Sequence, residues 1–147
     1  MSAPVRRPVD PAAVLTAVLR NDLLAFIRKV YGELHPAQPF QPNWHIEAIA
    51  HALTRVATGA CTRLIITLPP RYLKSICASV ALPAWELGRD PSQRVISVSY
   101  AADLAIKHAG DARAVMRSAW YRAAFPGTVV SRDKNTETEL RTTLGGG

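Results

Sequence analysis

Two short runs, RLIITL at 63–68 and RVISVS at 94–99, restrict the folds open to this chain more than any other feature. Both are rich in β-branched residues and lack polar alternation, the pattern of strands buried on both faces of a parallel sheet. Between them KSICASVALPAWELG (74–88) reads as a helix ending at Gly88, with a kink predicted at Pro83 because Ser79 loses its hydrogen-bond donor. A strand, a helix and a strand at this spacing make a βαβ unit, which implies a parallel sheet with a right-handed crossover. The expected fold class is α/β.

Helices surround this unit. From Asp10 to Tyr31, Val14, Leu15, Val18, Leu19, Leu23, Phe26, Ile27 and Val30 recur at three- and four-residue steps, which predicts one amphipathic helix. Asp10 suits its N-cap and Pro11 its first position, with Gly32 and Pro36 as stops. The proline-rich 35–43 should run extended over the surface. A second helix is expected from Asn43 to Gly59, burying Trp44, Ile46, Ile49, Ala50, Leu53 and Val56. After the second run, 101–118 reads as helix and 120–127 as a further turn.

At 147 residues, 48% hydrophobic and 20% charged, the chain has the size and composition of one globular domain. It has no uncharged apolar stretch of about 18 residues and no apolar leader before Pro11, so a soluble, cytoplasmic protein with no membrane partner is expected. Cys61 and Cys77 read as buried thiols. The formal charge of +7 suits phosphate-bearing partners, although a basic excess also serves solubility alone.

The segment LIITLPPRYLKS (64–75) resembles a phosphate-binding loop without its glycines. If Lys74 and Ser75 close the pattern G-x-x-x-x-G-K-[ST], Leu68 and Leu73 hold the glycine positions. Such a loop needs a strand leading in, converging backbone N–H groups and a helix N-terminus. Pro69 and Pro70 carry no N–H, and Leu73 should resist a positive φ. Donors remain at Tyr72 through Ser75, and Arg71 adds a charged fork. Lys74 would reach the β- and γ-phosphates of ATP, and the Ser75 hydroxyl would ligate Mg2+. The alternative is an ordinary strand-to-helix corner. His45 and Glu47 match half of a zinc-deaminase motif without its cysteines, the four histidines lack metal-ligand spacing, and no G-x-S-x-G is present.

The ordered set QPNWHIEAIAHAL, LIITLPPRYLKSICASVALPAWELGRDP, RVISVSYAADLA, RSAWYRAAFPG and TELRTTLGGG resembles the N-terminal part of the large subunit of tailed-phage and prophage terminases, over about 38–147. In that family the loop commonly reads P-P-R-x-G-K-S, which Pro69, Pro70, Arg71, Lys74 and Ser75 match and Leu73 does not. The resemblance implies a P-loop, RecA-like ATPase domain with flanking helices, preceded by an N-terminal helical segment at 1–37 and followed in the family by a metal-dependent nuclease domain. It implies a hydrolase that packages viral DNA into a procapsid, with ATP and Mg2+ as cofactors. Its implied partners are double-stranded DNA, the portal protein and the small terminase subunit, and the full-length form would be a homo-oligomer in the host cytoplasm. By the same resemblance Gln41 contacts adenine, Arg71 and Lys74 are catalytic, Tyr72, Leu73 and Ser75 complete the nucleotide contacts, and Ser75 holds the metal.

Hydrolysis of this kind also needs an apolar strand ending in an acidic residue for Mg2+. None follows, so the chain is expected to stop short of that strand and to hold half an active site. Three functions stay open: a packaging-motor ATPase not competent alone, a non-catalytic remnant or nucleic-acid interaction module, and another RecA-like translocase such as a helicase. Arg113, Arg117, Trp120, Tyr121 and Arg122 could grip a DNA backbone, or could be two core rings with a solvated arginine rim.

Overall fold

A computed structural model describes residues 10–136 and 139–147, with side chains described throughout that range except at 132–135. Six α-helices and one hairpin occur among them. The helices are α1 (Pro11–Asn21), α2 (Leu23–Leu34), α3 (Trp44–Ala57), α4 (Leu82–Arg89), α5 (Ala102–Arg117) and α6 (Ala119–Ala124). The strands are β1 (Val130–Asn135) and β2 (Leu140–Thr142), paired antiparallel with an irregular register.

The helix expected over 10–31 is two helices. Asp22 sits at φ −120° and ψ 105°, serving as C-cap of α1 and N-cap of α2, and its carboxylate accepts from the N–H groups of Leu24 (2.8 Å) and Ala25 (3.2 Å). A capping aspartate offers the backbone a partner outside the helix ladder, so the chain turns there although its apolar period continues. Asp10 caps α1 through Ala12 N–H at 3.0 Å, with Pro11 in the first turn. α2 then runs through Gly32 to Leu34.

A π-helical turn at Ile76–Ala81 leads into α4, and the N–H of Leu82 reaches back five residues to the Cys77 carbonyl. Widening the helix one turn before Pro83 is how the strain expected at this proline is taken up, since its ring otherwise crowds the Ser79 carbonyl. This turn lies at the centre of the core. Cys77, Val80, Ala81, Ala84 and Trp85 pack there with Phe26, Ile27 and Val30 of α2, Ile46, Ile49 and Leu53 of α3, Val115 and Met116 of α5, and Tyr121 of α6. Trp44, expected on the buried side of α3, is instead 76% exposed at its first turn.

The parallel P-loop sheet is not formed among the described residues, and the described fold is mostly helical, with 57% helix. Residues 63–68 and 94–99, whose β-branched side chains favour strand, form neither helix nor paired strand among the described residues. Ile66, Leu68 and Val95 lean on the helical core, while Ile65 (92%), Ile96 (89%) and Val98 (87%) stand in solvent. Propensity sets the local conformation of a strand, whereas its ladder requires a second strand alongside.

Burial pushes the Cys77 thiol up to about 11 from 9.0. The folded state holds this proton more tightly than the unfolded chain. Its stabilising contribution is therefore complete below about pH 9 and is lost as the pH rises through about 11. In the native protein at pH 8, Cys77 is expected to resist alkylation and to react once urea unfolds the chain. Peptide mass spectrometry after iodoacetamide treatment checks this, and ready native labelling of Cys77 would refute it.

Candidate functional site: the loop from Pro69 to Ser75

The loop begins where the segment at 63–68 ends and closes where the helical run starts at Lys74. Its backbone is the main surprise. Arg71 has φ 70° and Leu73 has φ 60°, the only non-glycine residues at positive φ among those described. Leu73 was expected to resist this conformation, yet it takes the shape that glycine takes freely. Its side chain, half-buried against the core, holds it there. Two such residues on either side of Tyr72 represent local strain of about 1–3 kcal/mol each, which persists only where the surroundings enforce it.

The N–H groups of Tyr72, Leu73, Lys74 and Ser75 donate to no described residue. They sit at the open end of a helical run, where partial positive charge gathers. Lys74 curls back so that its Nζ donates to the Leu68 carbonyl at 3.0 Å, which uses one of its three donors and ties the loop's two ends together. Arg71 is exposed and makes no ion pair among the described residues. The Ser75 side chain, half-buried, makes no capping hydrogen bond.

Tyr72 packs edge-on against His45 of α3, with ring centroids 5.1 Å apart, and His45 in turn meets Trp44 at 6.2 Å. These rings bring the first turn of α3 beside the loop. Sequence reasoning treated Trp44 as core and missed this arrangement, although an aromatic pair directly after a proline-rich connector was the available signal. Of the expected site residues, the structure gathers Arg71, Tyr72, Leu73, Lys74 and Ser75 in one turn of chain. Gln41 lies exposed in the connector before α3, with no hydrogen bond to the loop.

The second cluster divides between core and rim. Tyr121 is buried, its hydroxyl donating to the Ala84 carbonyl at 2.7 Å. Trp120 Nε1–H donates to Glu33 at 3.0 Å beneath the Lys29 ammonium. Arg113 donates to the Thr136 carbonyl, while Arg117 and Arg122 stay exposed.

The expected ATPase chemistry does not fit this setting. A hydrolytic phosphate loop draws its acidic, Mg2+-holding residue from a strand in the same parallel sheet, and no such sheet forms among the described residues. The DNA-packaging motor, the terminase hydrolase and the RecA-like helicase all rest on that sheet, and all are corrected by its absence. Among the described residues no helix is long and apolar enough to cross a membrane. No family model, curated protein or solved structure matched the chain.

Proposed function

We infer that the loop from Pro69 to Ser75 binds phosphate groups, and that this chain is a binding domain for a nucleotide such as ATP. The observation that carries the reading is the pair of non-glycine residues held at positive φ, Arg71 and Leu73, directly before the helical run that Lys74 opens. Strain of this sort concentrates at ligand-clamping turns. The four undonated N–H groups, the Arg71 fork and the two remaining Lys74 donors together supply charge-assisted hydrogen bonds to phosphate oxygens. Mg2+ arriving with the nucleotide would offset phosphate charge, and the Ser75 hydroxyl is the group suited to hold it. A net charge of +7 draws polyanions toward the domain.

Arg71→Ala and Lys74→Ala are each expected to weaken binding by about ten- to a hundredfold, because a charge-assisted hydrogen bond contributes roughly 1.5–3 kcal/mol. Leu73→Gly relieves the backbone at φ 60° while losing side-chain packing, so equal or tighter binding is expected with a small change in stability. Titration of a fluorescent ATP analogue with Mg2+ measures all three. A parallel titration with a 20-base-pair DNA duplex at two salt concentrations distinguishes nucleotide from nucleic-acid phosphates. Duplex binding lost with added salt and insensitive to Arg71→Ala would place DNA elsewhere on the basic surface. Wild type that binds neither ligand would show the loop to be a strand-to-helix corner.

A further inference from the structure

A cavity of about 610 Å3 opens where the end of α5, α6 and the start of β1 meet, and no residue of the 69–75 loop lines it. Its floor is the edge of the core, since Met116, Phe125 and Thr128 line it and all three are buried. Val129 and Val130 add apolar surface. The polar lining includes Arg117, the last residue of α5, and Arg122, in the last turn of α6. Both arginines are exposed and neither makes an ion pair among the described residues, of which no carboxylate lines the cavity.

The walls are held in place before any ligand arrives. The Phe125 ring packs against Tyr121 (5.0 Å) and Phe26 (5.9 Å), and a Cβ added at Gly88 would stand 2.7 Å from it. Thr128 N–H closes the turn onto the Phe125 carbonyl at 3.0 Å, and the Thr128 hydroxyl donates to the Leu87 carbonyl at 3.0 Å. Val129 is fixed through its carbonyl, which accepts from Thr143 N–H at 2.8 Å. A preformed cavity loses little ordering free energy on binding. Its size falls within the roughly 300–1,000 Å3 of small-molecule sites, which also combine an apolar lining with a few placed polar groups. A cation in the last turn of a helix is favoured by the helix dipole, and that accounts for each arginine singly. It does not account for two guanidinium groups without carboxylate partners bordering one apolar cavity.

We propose that this cavity binds a small organic anion, an aryl or alkyl body ending in one carboxylate. The body covers Met116, Phe125 and Val129, and the carboxylate presents two coplanar oxygens to the guanidinium forks of Arg117 and Arg122. An inorganic anion would leave the apolar lining in water, and a neutral apolar molecule would leave the guanidinium groups unused. Duplex DNA is the competing occupant for two exposed arginines, but its phosphates carry no apolar body to fill the cavity.

The test is titration of the whole chain with 4-phenylbutyrate, followed by residue-resolved amide NMR shifts. Shifts are expected at Arg117, Arg122, Val129 and Val130, with none from Tyr72 to Ser75. The neutral analogue 4-phenylbutyramide and the bare anion acetate should each bind at least about tenfold more weakly. Arg117→Gln and Arg122→Gln should each weaken phenylbutyrate binding by about tenfold, whereas Arg71→Ala should leave it unchanged. The wild-type protein with the three probes gives the answer even where a variant fails to fold. No shift at the four amides at the solubility limit of phenylbutyrate overturns the proposal. Equal binding of the amide analogue or of acetate also overturns it, since one half of the recognition would then be idle. So does a 20-base-pair duplex that shifts the same amides and displaces phenylbutyrate, because the arginines would then belong to a DNA-binding face.

Discussion

Replacing Phe26 by alanine should cost about 3–5 kcal/mol of folding stability. The ring is fully buried and makes edge-to-face contacts with Trp120 (5.5 Å), Phe125 (5.9 Å) and Tyr121 (6.1 Å), so it is the point at which α2 and the α6 region meet. Alanine would leave a cavity walled by three rigid rings, each held by other contacts. Tyr121 is tied to Ala84 and Trp120 to Glu33, so neither ring is free to collapse inward. Domains of this size have about 5–15 kcal/mol in total, so the loss is a large fraction. At about 2–4 °C per kcal/mol the melting temperature should fall by roughly 6–20 °C. Phe26→Leu, which keeps most of the volume, should cost much less. Thermal denaturation followed by circular dichroism measures both, and a loss below about 1 kcal/mol for alanine would contradict the packing described.

Trp85→Ala should be comparably severe, for a partly different reason. Trp85 is buried on α4, its Nε1–H donates to the Leu19 carbonyl of α1 at 3.0 Å, and the Arg89 guanidinium lies 4.4 Å from its ring centroid. Truncation removes volume, a buried hydrogen bond and a cation–π contact together, and about 3–5 kcal/mol is expected. Trp85→Phe separates these contributions. It keeps an aromatic ring but leaves the Leu19 carbonyl without its donor, which costs about 1–3 kcal/mol. Urea denaturation of the two variants gives the difference directly. Equal losses would mean that the hydrogen bond, rather than volume, sets the stability of this contact.

The helices were the legible part of the fold. Leu19, Phe26, Ile27 and Val30 recur at helical spacing and are buried, as are Ile46, Ile49 and Leu53. The break at Asp22 was hidden because the apolar period continues on both sides of it. The sheet was misread for a deeper reason. The runs at 63–68 and 94–99 show strand preference, but pairing belongs to two segments at once, and neither run identifies its neighbour. The loop was legible in residue type and illegible in shape. Lys74 and Ser75 do open a helical run, as a phosphate loop requires, but nothing about Leu73 announces a φ of 60°. That conformation comes from packing around the residue, which lies outside any local pattern.

Residue-resolved amide exchange of the wild-type protein, with and without tripolyphosphate, tests whether this turn of chain receives phosphate groups. Without ligand, the amides of Tyr72, Leu73, Lys74 and Ser75 should exchange rapidly, because they donate to no described residue. With ligand, these four should slow together, by about tenfold at ten times the dissociation constant, while the Ser97 and Ser99 amides remain unchanged. If tripolyphosphate leaves the amides from Tyr72 to Ser75 exchanging as fast as before, the loop is no phosphate receptor.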